Sequence, residues 1–115
     1  MKVTLLNDIV LAELEGEVDQ REVDRLVVLI GHCLEGARAK IILSFKDAHH
    51  INYQLPMQLQ PQVHGAKHLA GAVKLAHVSD YHQRIFDAMG AGDAFEQYGS
   101  VEQALLEFCD AASLH

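Results

Sequence analysis

The sequence predicts a single α/β domain in which a mixed β-sheet of about four or five strands packs against helices. Two observations lead to this fold class. After an initial pair of strands, short apolar runs alternate with capped amphipathic helical patterns. The 115 residues, 50% of them hydrophobic, also suffice for one core and leave no room for a second domain of ordinary size. We therefore expect one domain over residues 1–115, with the element order β-β-α-β-α-β-α-β-α.

The first part of the chain predicts a hairpin, a helix and a buried strand. Strands at residues 3–6 and 9–14 flank the turn-type pair at residues 7–8. Asp19 and Glu22 are spaced as a capping box, and a helical pattern follows until Gly36 ends it. The Ile- and Leu-rich run at residues 39–45 is too short for a stable helix and therefore predicts a buried strand.

The second helix contains two prolines. Pro56 suits a first turn, whereas Pro61 would remove an interior hydrogen bond at a cost of about 3 kcal/mol. We therefore expect a kink near Met57 or a late helix start. The apolar face of this helix comprises Leu55, Leu59, Val63, Ala66 and Ala70.

The last part of the chain predicts a strand at residues 72–77, a third helix, a brief strand at residues 94–98 and a final helix. Ser79 or Asp80 caps the third helix, and the spacing of Ser100 and Gln103 is that of a capping box at the start of the last one. Ten residues are predicted to form the core: Leu11, Val27, Ile30, Ile42, Leu59, Val73, Leu75, Ile85, Phe86 and Leu105.

Charge and cysteine content exclude several classes of function. A formal charge of −7 without a Lys/Arg cluster opposes binding to nucleic acid or to anionic membranes. No run approaches the ~20 apolar residues of a membrane span, so we expect no direct membrane insertion. Cys33 and Cys109 lack metal-type spacing and are expected to be small core residues in a reduced, cytoplasmic setting, a view that the absence of a leader-like N-terminus supports.

A polar loop is predicted between the strand at residues 39–45 and the second helix. Oriented N–H groups at such a helix start favour an anion by about 0.3–1 kcal/mol, so a hydroxyl there would be a natural phosphorylation site. The chain has Asn52, Tyr53 and Gln54 instead. His49 and His50 lie in the predicted loop, where a change of charge between about pH 5 and 8 could modulate a contact, although plain loop polarity is the simpler reading.

Three segments, taken in order, resemble the STAS domain family, which includes the anti-sigma factor antagonists. Residues 14–19 look like the family's turn after the second strand, and residues 78–90 look like its third helix with the following glycine. Residues 95–105 resemble its last strand and the opening of its final helix. The resemblance spans nearly the whole chain and implies the STAS fold.

The family's switch motif is a strand followed by Asp-Leu, then a few residues and Asp-Ser-Ser/Thr-Gly-Leu, in which a kinase-like anti-sigma factor phosphorylates a hydroxyl. In this chain Ser44 stands at the first Asp, Asn52 at the second, and Tyr53 and Gln54 at the hydroxyl positions. Of the family's acidic and acceptor positions, Asp19 is retained. Tyr53 and Gln54 are therefore degenerate acceptor positions, and control by Ser/Thr phosphorylation at the usual site is not expected.

The resemblance implies a non-enzymatic interaction module that binds a protein partner, such as a histidine-kinase-like anti-sigma factor. Six residues are expected to form the contact face: Asp19, His49, His50, Asn52, Tyr53 and Gln54. An alternative is a small STAS subunit bound to an ABC-type lipid transporter ATPase. A weaker one is a small apolar ligand held between the second and third helices.

Few residues suggest catalysis or a metal. The sequence has no Gly-rich phosphate loop, no nucleophile elbow and no matched pair of acids, so we expect no catalytic residues and no cofactor. His64 and His68 have a chelating spacing of four residues, but no further ligand completes a site, so no metal is expected. Ser44 could be a displaced phosphate acceptor, but at a strand end it is expected to be buried and hydrogen-bonded.

Overall fold

The structure is a computed structural model that describes residues 1–113, with side chains described through residue 109. The predicted α/β class and element order are confirmed. Four helices accompany one five-stranded sheet, whose spatial order β1-β2-β3-β4-β5 follows the chain. The strands are β1 Lys2–Leu6, β2 Ile9–Val18, β3 Lys40–Ile51, β4 Ala72–Ala76 and β5 Glu96–Tyr98; the helices are α1 Gln20–Glu35, α2 Gln54–His68, α3 Asp80–Ala88 and α4 Val101–Ser113.

The sheet is mixed, as predicted. β1 and β2 pair antiparallel across the turn at Asn7 and Asp8, whereas β2, β3, β4 and β5 are parallel neighbours. Because side chains alternate between faces along a strand, each face buries its own set of residues. One face packs against α1, α2 and α3 through Val10, Ala12, Ile41 and Leu43, and the opposite face packs against α4.

The face beneath α4 contains a buried cation. Lys74 on β4 is 5% exposed, and its Nζ donates to Glu96 at 2.6 Å and to the Tyr98 hydroxyl at 2.9 Å. The ammonium also lies 4.8 Å from the centre of the Phe108 ring on α4. Burial alone would lower the pKa of Lys74, but the hydrogen bonds to Glu96 and Tyr98 outweigh it, so that this pKa is raised above its ordinary value. The charge is thus satisfied inside the fold.

Strands β2 and β3 both run further than the sequence predicted. β1 pairs with β2 only as far as Glu13, and β4 pairs with β3 only as far as Ser44. Beyond these points β2 and β3 continue side by side as a two-stranded parallel ribbon, which we call the β2–β3 extension (residues 14–18 and 45–51). The predicted loop after residue 45 is therefore wrong: residues 46–51 are strand.

The physical reason for the extension lies at its far end. Val18 and Ile51 are 1% and 0% exposed, and they pair across the two strands. Their burial holds the intervening polar residues in the ladder, although two register irregularities interrupt it. Gly16, between those irregularities, has a φ of +62°, a conformation that glycine adopts without strain.

The second helix and the core differ in detail from expectation. α2 begins at Gln54, so a late start is wrong, and it continues through Pro61 to His68, which leaves Ala70 outside it. Of the ten predicted core residues, Val27, Ile85 and Leu105 are half-buried rather than buried, because each lies at the edge of its helix's buried face and packs against the rim of the core. The other seven are buried.

The cysteine prediction needs correction. Cys109 is exposed and Cys33 is half-buried, so neither is a full core residue. Burial raises the pKa of the Cys33 thiol, which keeps it protonated and a poor nucleophile. Among the described helices, none is long and apolar enough to cross a membrane.

Candidate partner-binding surface

The carboxyl end of the β2–β3 extension brings together the two segments in which the predicted contact residues lie. Asp19 directly follows Val18, the last residue of β2, and Asn52 directly follows Ile51, the last residue of β3. The backbone N–H of Asn52 donates to the carbonyl oxygen of Val18 at 2.7 Å. The starts of α1 and α2 are therefore adjacent. We call the set of Asp19, His49, His50, Asn52, Tyr53 and Gln54 the candidate surface.

Asp19 caps the first helix. Its backbone is extended, and its Oδ1 accepts a hydrogen bond from the N–H of Glu22 at 3.0 Å. The carboxylate is exposed, so its second oxygen remains accessible to solvent or to a partner. Negative charge at a helix start is also favoured by the exposed N–H groups. Asp19 thus has a structural role in addition to any role in binding.

Asn52 performs the same task for the second helix. Its Oδ1 accepts from the N–H of Gln54 at 2.8 Å, and its carbonyl oxygen accepts from the N–H of Leu55 at 3.0 Å. Tyr53 has helical dihedral angles, φ −63° and ψ −15°, and makes no side-chain cap of its own. The functional cap of α2 is therefore the half-buried amide of Asn52, one residue before Tyr53.

Tyr53 and Gln54 directly follow Asn52 at the start of α2. The Tyr53 side chain is 57% exposed and Gln54 is half-buried. The first turn of α2 contains no acidic residue, so the start of the helix presents N–H groups and neutral side chains. This is a surface on which an added negative charge would change the electrostatics sharply.

His49 and His50 lie on β3 rather than in a loop, and both connect it to α3. The Nε2–H of His82 donates to the carbonyl oxygen of His49 at 2.6 Å, which fixes the position of that proton because a carbonyl can only accept. The Nδ1 of His50 and the hydroxyl of Tyr81 are hydrogen-bonded at 2.5 Å. His49 thus contributes a backbone group, whereas His50 contributes its exposed ring.

His82 is a buried polar residue that the sequence analysis did not single out. It is 3% exposed, and its ring lies 5.7 Å from the Phe45 ring and 5.8 Å from the Tyr81 ring. Its Nδ1 has no hydrogen-bond partner in the described part of the chain. The available signal was its spacing of four residues from Phe86, which places His82 on the core side of α3.

A shallow groove lies beside the candidate surface, between the start of α2 and the exposed side of α3. Its volume is about 270 Å³, and it is lined by Tyr53, Tyr81, Arg84, Ile85, Ala88 and Met89. This volume is slightly below the roughly 300–1,000 Å³ of typical small-ligand sites. The groove has the position of the alternative ligand pocket between the second and third helices, but it is open and small.

Comparisons with known proteins bear on the fold. No family model and no curated protein matches the sequence. Solved structures do match. The anti-sigma factor antagonist SpoIIAA in its unphosphorylated form superposes with a TM-score of 0.77 at 14% identity, covering 95% of this chain and 96% of that one. The chain has the STAS fold.

Two further structures agree with this fold. The Bacillus cell fate determinant SpoIIAA in its phosphorylated form gives a TM-score of 0.73 at 19% identity, over 93% of this chain and 97% of that one. An anti-sigma-factor antagonist (STAS) domain protein from Planctomyces limnophilus gives 0.76 at 16% identity, over 94% and 97% of the two chains. At such identities the likeness establishes the fold and leaves the activity open.

Within this STAS fold, Ser44 and the paired histidines lie apart from the candidate surface. Ser44 is 3% exposed, and its Oγ accepts from the N–H of Lys46 at 3.4 Å, as expected for a buried hydroxyl at this position. His64 and His68 are exposed near the end of α2. In the described part of the chain, no group of three or more His, Cys, Asp or Glu side chains is placed to hold a metal ion.

Proposed function

We propose that this chain is a non-enzymatic, cytoplasmic protein-interaction module of the anti-sigma factor antagonist kind, and that its partner contacts the candidate surface. One observation carries the proposal. The extension places an exposed carboxylate, Asp19, next to a neutral helix start with exposed Tyr53 and half-buried Gln54. Such a surface offers a partner hydrogen bonds, an aromatic anchor and one negative charge.

Phosphorylation at the usual positions does not control this module in our proposal. Gln54 has no hydroxyl, and Tyr53 presents a phenol where a serine kinase of the family requires Ser or Thr. The buried Oγ of Ser44 offers no accessible replacement. The neutral helix start therefore corresponds to a permanently binding-competent state, and ATP should not change partner binding.

The choice of a protein partner rests on fold and charge. Structures with this fold include proteins described as anti-sigma factor antagonists, which supports a partner of the histidine-kinase-like anti-sigma class. The formal charge of −7 disfavours a phosphate backbone as partner. A basic group on the partner would complement Asp19, and neutral hydrogen-bonding groups would meet Asn52 and Gln54.

The experiment begins with the partner. Tagged full-length protein is purified from its native cells, the co-purifying protein is identified by mass spectrometry, and its affinity is then measured with purified components. A kinase-like anti-sigma factor supports the proposal, whereas a transporter ATPase would assign the chain to the alternative class. Addition of ATP should leave the affinity unchanged.

The decisive variant is Gln54→Glu, with Gln97→Glu as its matched control. The first adds one negative charge at the start of α2, and the second adds the same charge on exposed β5. If the partner carries an apposed acidic group, Gln54→Glu should weaken binding by about 1–3 kcal/mol, or roughly 5- to 150-fold. An acid in the first turn favours the helix, so loss of binding would not reflect unfolding.

A different pattern would refute the surface. If Gln54→Glu binds normally while Leu106→Ser on exposed α4 abolishes binding, the partner uses another face of the fold. The family analogy would then fail for the mechanism while the fold stands.

A further inference from the structure

The groove between α2 and α3 combines an apolar floor with polar side chains that are neutral or positively charged. Ile85, Ala88 and Met89 supply apolar surface, and the two phenols and one guanidinium supply the polar groups. Tyr53 and Tyr81 are 57% and 49% exposed, so their rings stand open to solvent on the two sides. Exposed aromatic and arginine side chains around an apolar patch are the composition of binding hot spots.

Arg84 gives the groove its charge. No acidic residue lines the groove, and Arg84 forms no ion pair with the part of the chain that the structure describes. Residues 81, 84, 85 and 88 share one side of α3, and Asp80 and Asp87 are helical neighbours of Arg84 at spacings of four and three residues. Asp87 accepts a hydrogen bond from Gln83 at 2.9 Å instead of pairing with Arg84. In the described residues the Arg84 guanidinium therefore makes no direct carboxylate contact, and it borders an apolar groove.

The groove wall is held in place by contacts that do not depend on a ligand. His82 is anchored to the His49 carbonyl and Tyr81 to the His50 ring, so the first turn of α3 is fixed against β3. The Asn52 cap fixes the start of α2, and with it the backbone of Tyr53. Such preorganisation lowers the ordering cost of binding.

We propose that this groove receives a segment of the partner protein in which an apolar side chain stands next to a carboxylate. The apolar side chain would lie on Ile85, Ala88 and Met89 between the two tyrosines, and the carboxylate would accept two parallel N–H hydrogen bonds from the Arg84 guanidinium. This inference rests on the proposed function, since it names the chemistry of the partner beside the candidate surface. The openness and small volume of the groove favour a side chain on a protein segment over a free small ligand.

The test uses random peptides displayed on phage and selected on the immobilised full chain. Enriched peptides should contain Leu, Ile, Met or Phe within two positions of Asp or Glu. In amide NMR spectra, the consensus peptide should shift the signals of Tyr53, Arg84 and Met89. Arg84→Gln and Tyr53→Ser should each weaken its binding by about tenfold or more.

Arg38→Gln is the matched control, because Arg38 is exposed and precedes β3, at the opposite end of that strand from Tyr53 and the groove. It removes the same charge and should leave affinity within about twofold of the starting protein. The proposal is overturned by selected peptides that lack a carboxylate, by equal effects of Arg84→Gln and Arg38→Gln, or by a selection that yields no peptide dependent on Arg84.

Variants tested with the natural partner separate this inference from the proposed function. If Gln54→Glu weakens that partner but Arg84→Gln does not, the groove is refuted and the candidate surface stands. If Arg84→Gln weakens binding of the partner but Gln54→Glu does not, the groove stands and Gln54 is refuted as a contact.

Discussion

Replacing Asn52 by Ala should destabilise the protein by removing the cap of α2. The Asn52 Oδ1 is the acceptor for the N–H of Gln54 at 2.8 Å, and Tyr53 offers no replacement cap. Loss of a capping side chain costs about 0.5–2 kcal/mol, and the half-buried position of Asn52 favours a value of about 1 kcal/mol. In a domain of this size, that corresponds to a fall in Tm of roughly 4 °C.

Asn52→Asp is the matched variant, since it keeps an oxygen at the capping position and adds a charge. Negative charge at a helix start stabilises by about 0.3–1 kcal/mol at neutral pH, so this variant should be at least as stable as the starting protein. Urea unfolding followed by circular dichroism measures the free energy of unfolding of both variants. The dependence of this free energy on urea concentration should be the same in each. A loss below about 0.3 kcal/mol for Asn52→Ala, or equal losses for the two variants, would show that the side chain does not cap α2.

Two further predictions concern the core and the buried cation. Ile42→Ala should cost about 2–5 kcal/mol in the free energy of unfolding, because Ile42 is 0% exposed on the central strand; a change under about 0.5 kcal/mol would contradict its position. Glu96→Gln should lower the free energy of unfolding by about 1–2 kcal/mol. This is less than the loss expected from breaking a fully buried ion pair, because the Glu96 side chain is 49% exposed. The folded pKa of Lys74 is raised above 10.5, so the stability that its ammonium supplies is complete below pH 10.5 and is lost as the pH rises through the folded pKa. Unfolding measured in alkali should show this loss in the starting protein and less of it in Glu96→Gln.

The elements that follow strong local rules were predictable from the sequence. Asp19, Ser79 and Ser100 each accept a hydrogen bond from a backbone N–H three residues on, as their capping patterns predicted. The β2–β3 extension was missed because Glu15, Gly16 and Glu17 have low strand propensity. Their ladder depends on the burial of Val18 and Ile51, which is a tertiary effect that a local pattern does not contain.

The candidate site shows the same division between local and tertiary information. The closeness of Asp19 and Asn52 was predictable, because each directly follows one of two strands that are parallel neighbours, and the ends of such strands lie together. The contribution of α3 was not predictable, because His82 and Tyr81 reach His49 and His50 across more than thirty positions of sequence. The proximity of Arg84 to Tyr53 was likewise not predictable, because it depends on how α3 packs beside the start of α2.

The helix start at Asn52 shows how α2 is capped without a carboxylate or a hydroxyl. A cap requires one side-chain oxygen and suitable backbone angles, and an amide meets that requirement as well as a carboxylate does. The amide differs in carrying no charge, and Gln54 differs from serine in offering no phosphate acceptor. The geometry of α2 therefore requires neither a charge nor a phosphate acceptor at its start. Charge introduced at Gln54 is consequently the most direct way to ask whether a partner binds at this helix start.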